Sequence, residues 1–502
     1  MVSAIRSMGL TGLNGFDVSV ECFLSQGMPA FEVVGLPDAA VRESRERVRA
    51  AMKNCGYEFP VRRIVVNLAP ADTRKEGPVY DLPIFLGLMA AGNDLSVPPD
   101  AAFIGELSLE GQTRPVTGML PMALAAKASG VRQIFVPEAN ARETSLVTGL
   151  DVYPVRHVRE LLDHLTGNGQ IAKAPPYQSQ PVPFECPDFA DVRGQDNVKR
   201  ALEVAAAGAH NVLMIGPPGA GKSMLARRLP GILPELTNAE ALDSTGIHSV
   251  AGLTSREEPL LRFRPFRSPH HTVSAPALVG GGRIPRPGEM SLAHNGVLFL
   301  DELPEFQRDA LESLRQPMED QQVTISRVGG TVTYPARFML LCAMNPCKCG
   351  WYGHPAGRCR CSEESVKAYY GRISGPVLDR MDIVIEVPSV SYEELSGKEQ
   401  AESSAAVRKR VCAARLKQQA RFDGQGPPSA HLTQEQMREV CALDEAGDKL
   451  MKSAFERLGL TARAYTRVLK VARTIADLTG SETVAPPHLA EALQYRQLTM
   501  GN

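Results

Sequence analysis

The run Gly216-Pro217-Pro218-Gly219-Ala220-Gly221-Lys222-Ser223 sets glycines, a lysine and a hydroxyl in the order that a phosphate cradle requires. Glycines let successive backbone N–H groups turn toward an anion, and a helix starting here aims the positive end of its dipole at the same group. Lys222 is then expected to reach the β- and γ-phosphates of a nucleoside triphosphate, and Ser223 to hold Mg2+. A surface Gly-Pro loop is the plain alternative. Against it stand the apolar run 211–215 before the loop and the helix-compatible run 224–229 after it.

A second constellation is Gly296-Val297-Leu298-Phe299-Leu300-Asp301-Glu302, a buried-strand pattern ending in adjacent carboxylates. Two acids at a strand end are often solvated loop charge. Beside a phosphate cradle, however, the first suits Mg2+ and the second can polarise an attacking water. Asp301 and Glu302 fit those two tasks. A further apolar run, 338–343, leads to Asn345, a candidate for orienting that water. Strands whose C-terminal ends carry polar groups bring them to one rim of a parallel sheet, where α/β proteins bind ligands.

Four thiols form the third group, with Cys347-Lys348-Cys349 and Cys359-Arg360-Cys361 separated by nine residues. Four thiolates suit tetrahedral Zn2+, and Gly350, Gly353 and Gly357 let the loop fold around it. His354 can replace one ligand, and free thiols or a redox pair remain open. No open coordination position is evident, so the expected zinc is structural. Cys22, Cys55, Cys186, Cys342, Cys412 and Cys441 are scattered and read as packing residues.

These groups need elements to hold them, and 502 residues are enough for several domains. The 55 basic and 56 acidic residues leave a formal charge of −1, so a polyanion would have to be met by a local patch. The first residues show no signal peptide and no apolar run is long enough to span a bilayer, so a soluble cytoplasmic protein is expected. A polar, proline-rich linker, 166–187, follows an N-terminal domain, 1–165, of mixed α/β pattern. Strands are expected at 64–68, 102–109 and 133–136, and helices at 39–53 and 120–129. Residues 188–390 alternate helical and strand-like runs, which predicts a doubly wound α/β domain around the phosphate loop. Residues 391–502 predict a helical lid, with long helical stretches at 399–422, 433–458 and 461–478.

With both nucleotide motifs placed, the chain resembles AAA+ ATPases of the magnesium-chelatase-like ComM (YifB) family. The resemblance is carried by Arg264-Pro265-Phe266-Arg267-Ser268-Pro269-His270-His271, by Gly280-Gly281-Gly282, by 287–305 and by 371–382. It implies a homo-hexameric ring with ATP and Mg2+ bound between subunits and an arginine donated by the neighbour. Arg380 matches that trans-acting position, with Arg372 as the nearby competitor, and Arg463 resembles the lid's second sensor. The plain alternative for Arg380 and Arg463 is a structural ion pair. An expected β-hairpin, 322–335, would project into the ring's pore with Arg327 near its tip. The stretch 259–288 holds five arginines, Arg264 and Arg267 among them, and no acid, a pattern that suits DNA phosphates, a solvated loop or an intersubunit contact.

The N-terminal domain resembles the Lon-protease fold, but Val79 stands where its serine would be and Leu120 where its lysine would be. A hydrocarbon can neither attack a carbonyl nor accept a proton, so a non-catalytic scaffold or DNA-guiding collar is expected. Taken together, the resemblance implies an ATP-driven motor on single-stranded, forked or branched DNA, driving branch migration in natural transformation. A magnesium-chelatase motor subunit is the rival reading. An ATP-dependent protease is a second rival, opposed by Val79 and Leu120.

Overall fold

The structure, a computed structural model, describes residues 2–93, 95–179, 184–282, 285–327, 330–396 and 401–496. It divides into two units, one of residues 1–182 with 238–261 and the other of 183–237 with 262–502.

In the first unit a long hairpin, Val2–Thr11 with Asn14–Ser25, pairs antiparallel to Arg63–Ala69, which pairs in parallel with Ala30–Val34. Alternate side chains of the second strand, Val18, Val20, Cys22 and Leu24, are buried, the period that a one-sided sheet demands. A separate parallel sheet joins Ala101–Phe103, Gln133–Pro137 and Asp151–Val155, and Phe135 stacks on Phe103 and on Tyr153 with ring centroids 4.7 Å apart. The strand expected over 102–109 is broken into Ala101–Phe103 and Glu106–Leu107, because Gly105 turns its N–H to the Val79 carbonyl at 3.0 Å. The helix expected over 39–53 likewise forms two pieces, Ala39–Arg42 and Ser44–Asn54, the first capped by Asp38.

Residues 238–261 leave the second part of the sequence to pack in this unit, which sequence patterning does not separate from the run around it. The reason lies in the helix Asn238–Ala251. Its buried side is made largely of small residues, Ala241, Ser244, Gly246 and Ser249, with Ile247 and Val250 supplying apolar bulk. That side approaches the helix Met119–Ala128 closely: Gly118 donates to the Ser249 carbonyl at 3.0 Å, and a Cβ on Gly246 would touch Pro121 at 3.8 Å.

The second unit is built on a five-stranded parallel sheet in the order Phe266–Arg267, Val297–Leu300, Met339–Met344, Val212–Ile215, Ile383–Glu386. The three central strands are buried throughout, as a sheet covered on both faces requires. Helices Ser404–Ala420, Gln434–Val440, Glu445–Leu458, Ala462–Thr479 and Pro486–Gln494 follow. The expected run 433–458 is interrupted because Asp444 starts a new helix, accepting from Gly447 N at 2.6 Å. Val198, Leu225, Val411, Leu469 and Leu489 belong to one hydrophobic cluster, so helices and sheet share a core.

Candidate nucleotide site

The phosphate loop leaves the central strand Val212–Ile215 and enters the helix Lys222–Arg228, so strand, loop and helix occur in the order the motif needs. Gly219 and Gly221 hold φ of 79° and 86°, in the left-handed region that a side chain disfavours. At Gly216 the constraint is space, since a Cβ would lie 2.3 Å from the Val387 carbonyl oxygen. Parallel register brings the C-terminal ends of three strands together, and with them Gly216, Asp301 and Asn345.

The side chains converge. Lys222 Nζ donates to the Gly216 carbonyl at 2.6 Å, to that of Pro217 at 3.0 Å and to Asn345 Oδ1 at 3.0 Å. Burial lowers its pKa, and the charges of Asp301 and Glu302 act in the opposite direction. Ser223 Oγ donates to Asp301 Oδ2 at 2.5 Å, so the two residues expected at Mg2+ share one locus. Glu302 adopts φ 54°, a strained conformation for a side-chain-bearing residue of the kind that persists where a site over-determines it.

Three residues here were not assigned roles by sequence patterning. His271 places Nδ1 3.1 Å from Glu302 Oε2 and so restrains the candidate base; it lay in plain view inside the 264–271 motif. Gln195 donates from Nε2 to the Ala220 carbonyl at 2.7 Å and to that of Pro388 at 3.1 Å, tying the phosphate loop to the chain beyond the last strand. Its Oε1 is buried without a partner, and it lines a cavity of about 620 Å³ together with Val384, Ile385, Pro388 and Glu394. Asp382, the last residue of the 371–382 motif, accepts from Asn211 N at 3.0 Å and from Arg467 on the helix Ala462–Thr479 at 2.9 Å. Burial alone would raise its carboxyl, but His210, Arg467 and the Asn211 N–H more than offset this and hold it well below the usual range.

The candidate trans-acting arginine is not presented to a neighbour in the single chain. Arg380 is buried, ion-paired with Glu319 and hydrogen-bonded to the Pro376 carbonyl at 2.7 Å. Its Nε nevertheless has no partner. Arg372 is more exposed and meets Glu305 at 3.0 Å. Arg463 is exposed in the first turn of its helix.

The other two candidate DNA contacts, Arg264 and Arg267, are engaged within the single chain. Arg264 spends its donors on the Pro234 and Asn295 carbonyls, both at 2.7 Å, and so serves as a clamp between loops. Arg267 forms a two-pronged pair with Glu289 at 2.6 and 2.7 Å, a partner one residue beyond the acid-free stretch. In the single chain both guanidiniums are thus held by protein acceptors. Arg327, by contrast, is exposed at the end of an antiparallel hairpin, Gln322–Arg327 with Gly330–Pro335. Val328 and Gly329 lie outside the described residues, as do Arg283 and Ile284 of the basic stretch. One face of the hairpin buries Val323, Ile325, Val332 and Tyr334, and Tyr334 donates to the Pro285 carbonyl at 2.8 Å. The opposite face exposes hydroxyls, with Thr324 bonded to Thr333 and Ser326 to Thr331, each at 3.1 Å.

The four clustered thiols come together, with ligand atoms all within 4.8 Å of one another. Sγ separations are 3.3 Å for Cys347 and Cys349, 3.8 Å for Cys347 and Cys359, and 3.6 Å for Cys349 and Cys359. A metal–sulfur distance of about 2.3 Å implies a tetrahedral edge of about 3.8 Å, so the donor set fits a zinc ion. A backbone hydrogen bond from Trp351, with help from the Cys347 thiol, lowers Cys349 to about 6, while the neighbouring thiols raise Cys359 to about 12 and push Cys361 up, so the protons are shared out across the group. His354 is not part of the group: its Nδ1 accepts from Ala356 N at 3.1 Å and its ring meets Trp351 edge-on.

In the first unit, Leu120 is fully buried and Val79 packs on the same apolar cluster. Among the described residues no helix is long and apolar enough to cross a membrane.

Comparison with known proteins agrees with this geometry. Residues 188–395 match the family model for magnesium chelatase, subunit ChlI, with related models matching 20–140 and 401–496. The chain is 44% identical over 500 residues to the uncharacterized protein YifB of Escherichia coli, covering 99% of this chain and 97% of that protein. It is 43% identical over 509 residues to the competence protein ComM of Haemophilus influenzae, covering 99% and 98%. A Lon protease of Treponema pallidum is 27% identical over 172 residues, 33% of this chain and 19% of that protein. The chain therefore belongs to the ComM/YifB family of magnesium-chelatase-like AAA+ ATPases, with a Lon-like N-terminal part.

Proposed function

We propose that this protein is a homo-hexameric, ATP-driven motor that acts on single-stranded, forked or branched DNA and drives branch migration of recombination intermediates, as in natural transformation. The observation that carries the ATPase part is the convergence of Lys222, Ser223, Asp301 and Asn345 at one rim of the parallel sheet. In this reading Lys222 and the loop amides bind the phosphates, Ser223 and Asp301 hold Mg2+, and Glu302, steadied by His271, accepts a proton from water oriented by Asn345. Bound Mg2+ would neutralise phosphate charge. Arg380 would act on the neighbour's nucleotide after exchanging Glu319 for phosphate, and Arg463 would sense it from the lid. The DNA part draws support from the exposed Arg327 hairpin and from the competence name of one relative. The four cysteines would bind structural zinc.

The test is strand transfer on labelled forked or four-way DNA with ATP. Wild type should convert the junction in a hydrolysis-dependent way, and Lys222→Ala should lose both hydrolysis and conversion. Full ATP turnover by Lys222→Ala would refute the site. Hydrolysis without any effect on DNA would favour a chelatase-type motor subunit acting through a partner protein, the reading suggested by the names of the matching family models.

A further inference from the structure

The thiol cluster and the phosphate loop are one piece of structure. Strand Met339–Met344 ends at Asn345, which holds Lys222, and the next residues enter the cysteine loop through Pro346 and the buried Cys347. Immediately beyond Cys349, Gly350 sits at φ 86° against the loop's own proline: a Cβ there would lie 2.5 and 2.6 Å from Pro218 Cδ and Cγ and 3.9 Å from Asn345 Cγ. The cysteine loop thus touches the nucleotide site on both sides of its first two thiols.

Within the loop the ordering contacts are local. Between Met344 and the helix Glu363–Tyr370 there is no helix or strand, and Gly350, Gly353 and Gly357 all take positive φ. Backbone turns within it are short-range, Gly350 N to the Cys347 carbonyl at 2.9 Å and Gly357 N to the His354 carbonyl at 3.0 Å. Arg358 lies over the Trp351 ring at 4.9 Å, again a contact inside the loop. Joining Cys347 and Cys349 to Cys359 and Cys361 through one ion would remove most of the freedom of the intervening chain, and so the cost of ordering Gly350 against Pro218.

We propose that a tetrathiolate metal clamp on Cys347, Cys349, Cys359 and Cys361 supports the phosphate loop through the Gly350–Pro218 contact, so that metal occupancy sets nucleotide affinity. The inference rests on the reading of the four thiols as a zinc site and of 216–223 as the nucleotide site. Zinc has no part in the chemical step; it acts by keeping Pro218 and Asn345 where Lys222 and the loop amides need them.

The experiment uses the full-length protein. Zinc per chain is measured after thiol modification, and the affinity of a fluorescent ATP analogue is measured alongside. Wild type should carry about one zinc per chain. Its removal by a chelator should weaken nucleotide binding roughly tenfold, and restored zinc should restore it. Cys359→Ser with Cys361→Ser should lose zinc and show the same weakening. Gly350→Ala should keep zinc yet bind nucleotide more weakly, which separates the contact from the metal and serves if the cysteine variant misfolds. Unchanged affinity in the zinc-free protein, or in a folded Gly350→Ala protein, overturns the coupling. Wild type that takes up no zinc even when zinc is supplied, yet binds nucleotide through Lys222, overturns the tetrathiolate reading and leaves the nucleotide site standing.

Discussion

Arg380 shows how a residue's motif and its surroundings convey different things. The motif resemblance makes it the trans-acting arginine, while the single chain buries it beside Glu319. The two are compatible because the pair is cheap to break: Glu319 is more than half exposed and therefore screened, and Arg380 Nε is buried without a partner. Exchange of Glu319 for a phosphate oxygen would satisfy the guanidinium better. Arg380→Ala is therefore expected to lower hydrolysis by about a thousandfold or more with nucleotide affinity nearly unchanged, whereas Arg372→Ala should have a much smaller effect. Steady-state ATPase assays on the assembled protein, with binding measured separately, check this; the reverse order would transfer the role to Arg372.

Among the elements, the short turn Ser429–His431 before the helix Gln434–Val440 carries a pH signature. His431 Nδ1 bonds Gln321 Nε2 at 2.7 Å, linking this turn to the chain just before the hairpin. Burial, with the charges of Arg415 and Arg337, lowers His431 to about 4 from an ordinary 6.5. A histidine depressed in the folded state stays neutral there while the unfolded chain takes up a proton, so its stabilisation is present above pH 6.5 and is lost as pH falls toward 4. His488 is lowered as well, also chiefly by burial, and acts in the same sense. Thermal unfolding should therefore show stability falling by up to about 3 kcal/mol across that window, with His431→Gln flattening the slope. A slope unchanged by that substitution would assign the loss to other groups.

For the molecule as a whole, the consequential feature is that residues 238–261 fold with the N-terminal unit although they lie beyond its boundary in sequence. A fragment ending at residue 182 would lack the helix Asn238–Ala251, which packs beside Met119–Ala128 and buries Ile247 and Val250. Losing two such side chains costs about 3 kcal/mol or more. The fragment should unfold at a clearly lower temperature than the same fragment with 238–261 supplied through a flexible linker. Equal melting temperatures would show that the helix Asn238–Ala251 contributes nothing to that unit. The detour also means that mutations in 238–261 should act first on the stability of the Lon-like part, and only secondarily on ATP binding.

Chemistry whose spacing is local was readable from the chain alone: the phosphate loop, the paired acids at a strand end, the hairpin 322–335 and the four-thiol loop all depend on residues within a few positions of one another. Amphipathic periodicity likewise located the helix Ala462–Thr479 and the strand Gln133–Pro137. Tertiary structure alone decided what depends on partners far away in sequence. It joined Arg264 to the Pro234 carbonyl and Arg267 to Glu289, brought His271 to Glu302 and Gln195 to Ala220, and carried 238–261 to another unit. The physical reason is that residue type and spacing determine what a group can do, whereas its unspent charge, burial and neighbours are set only when distant segments pack.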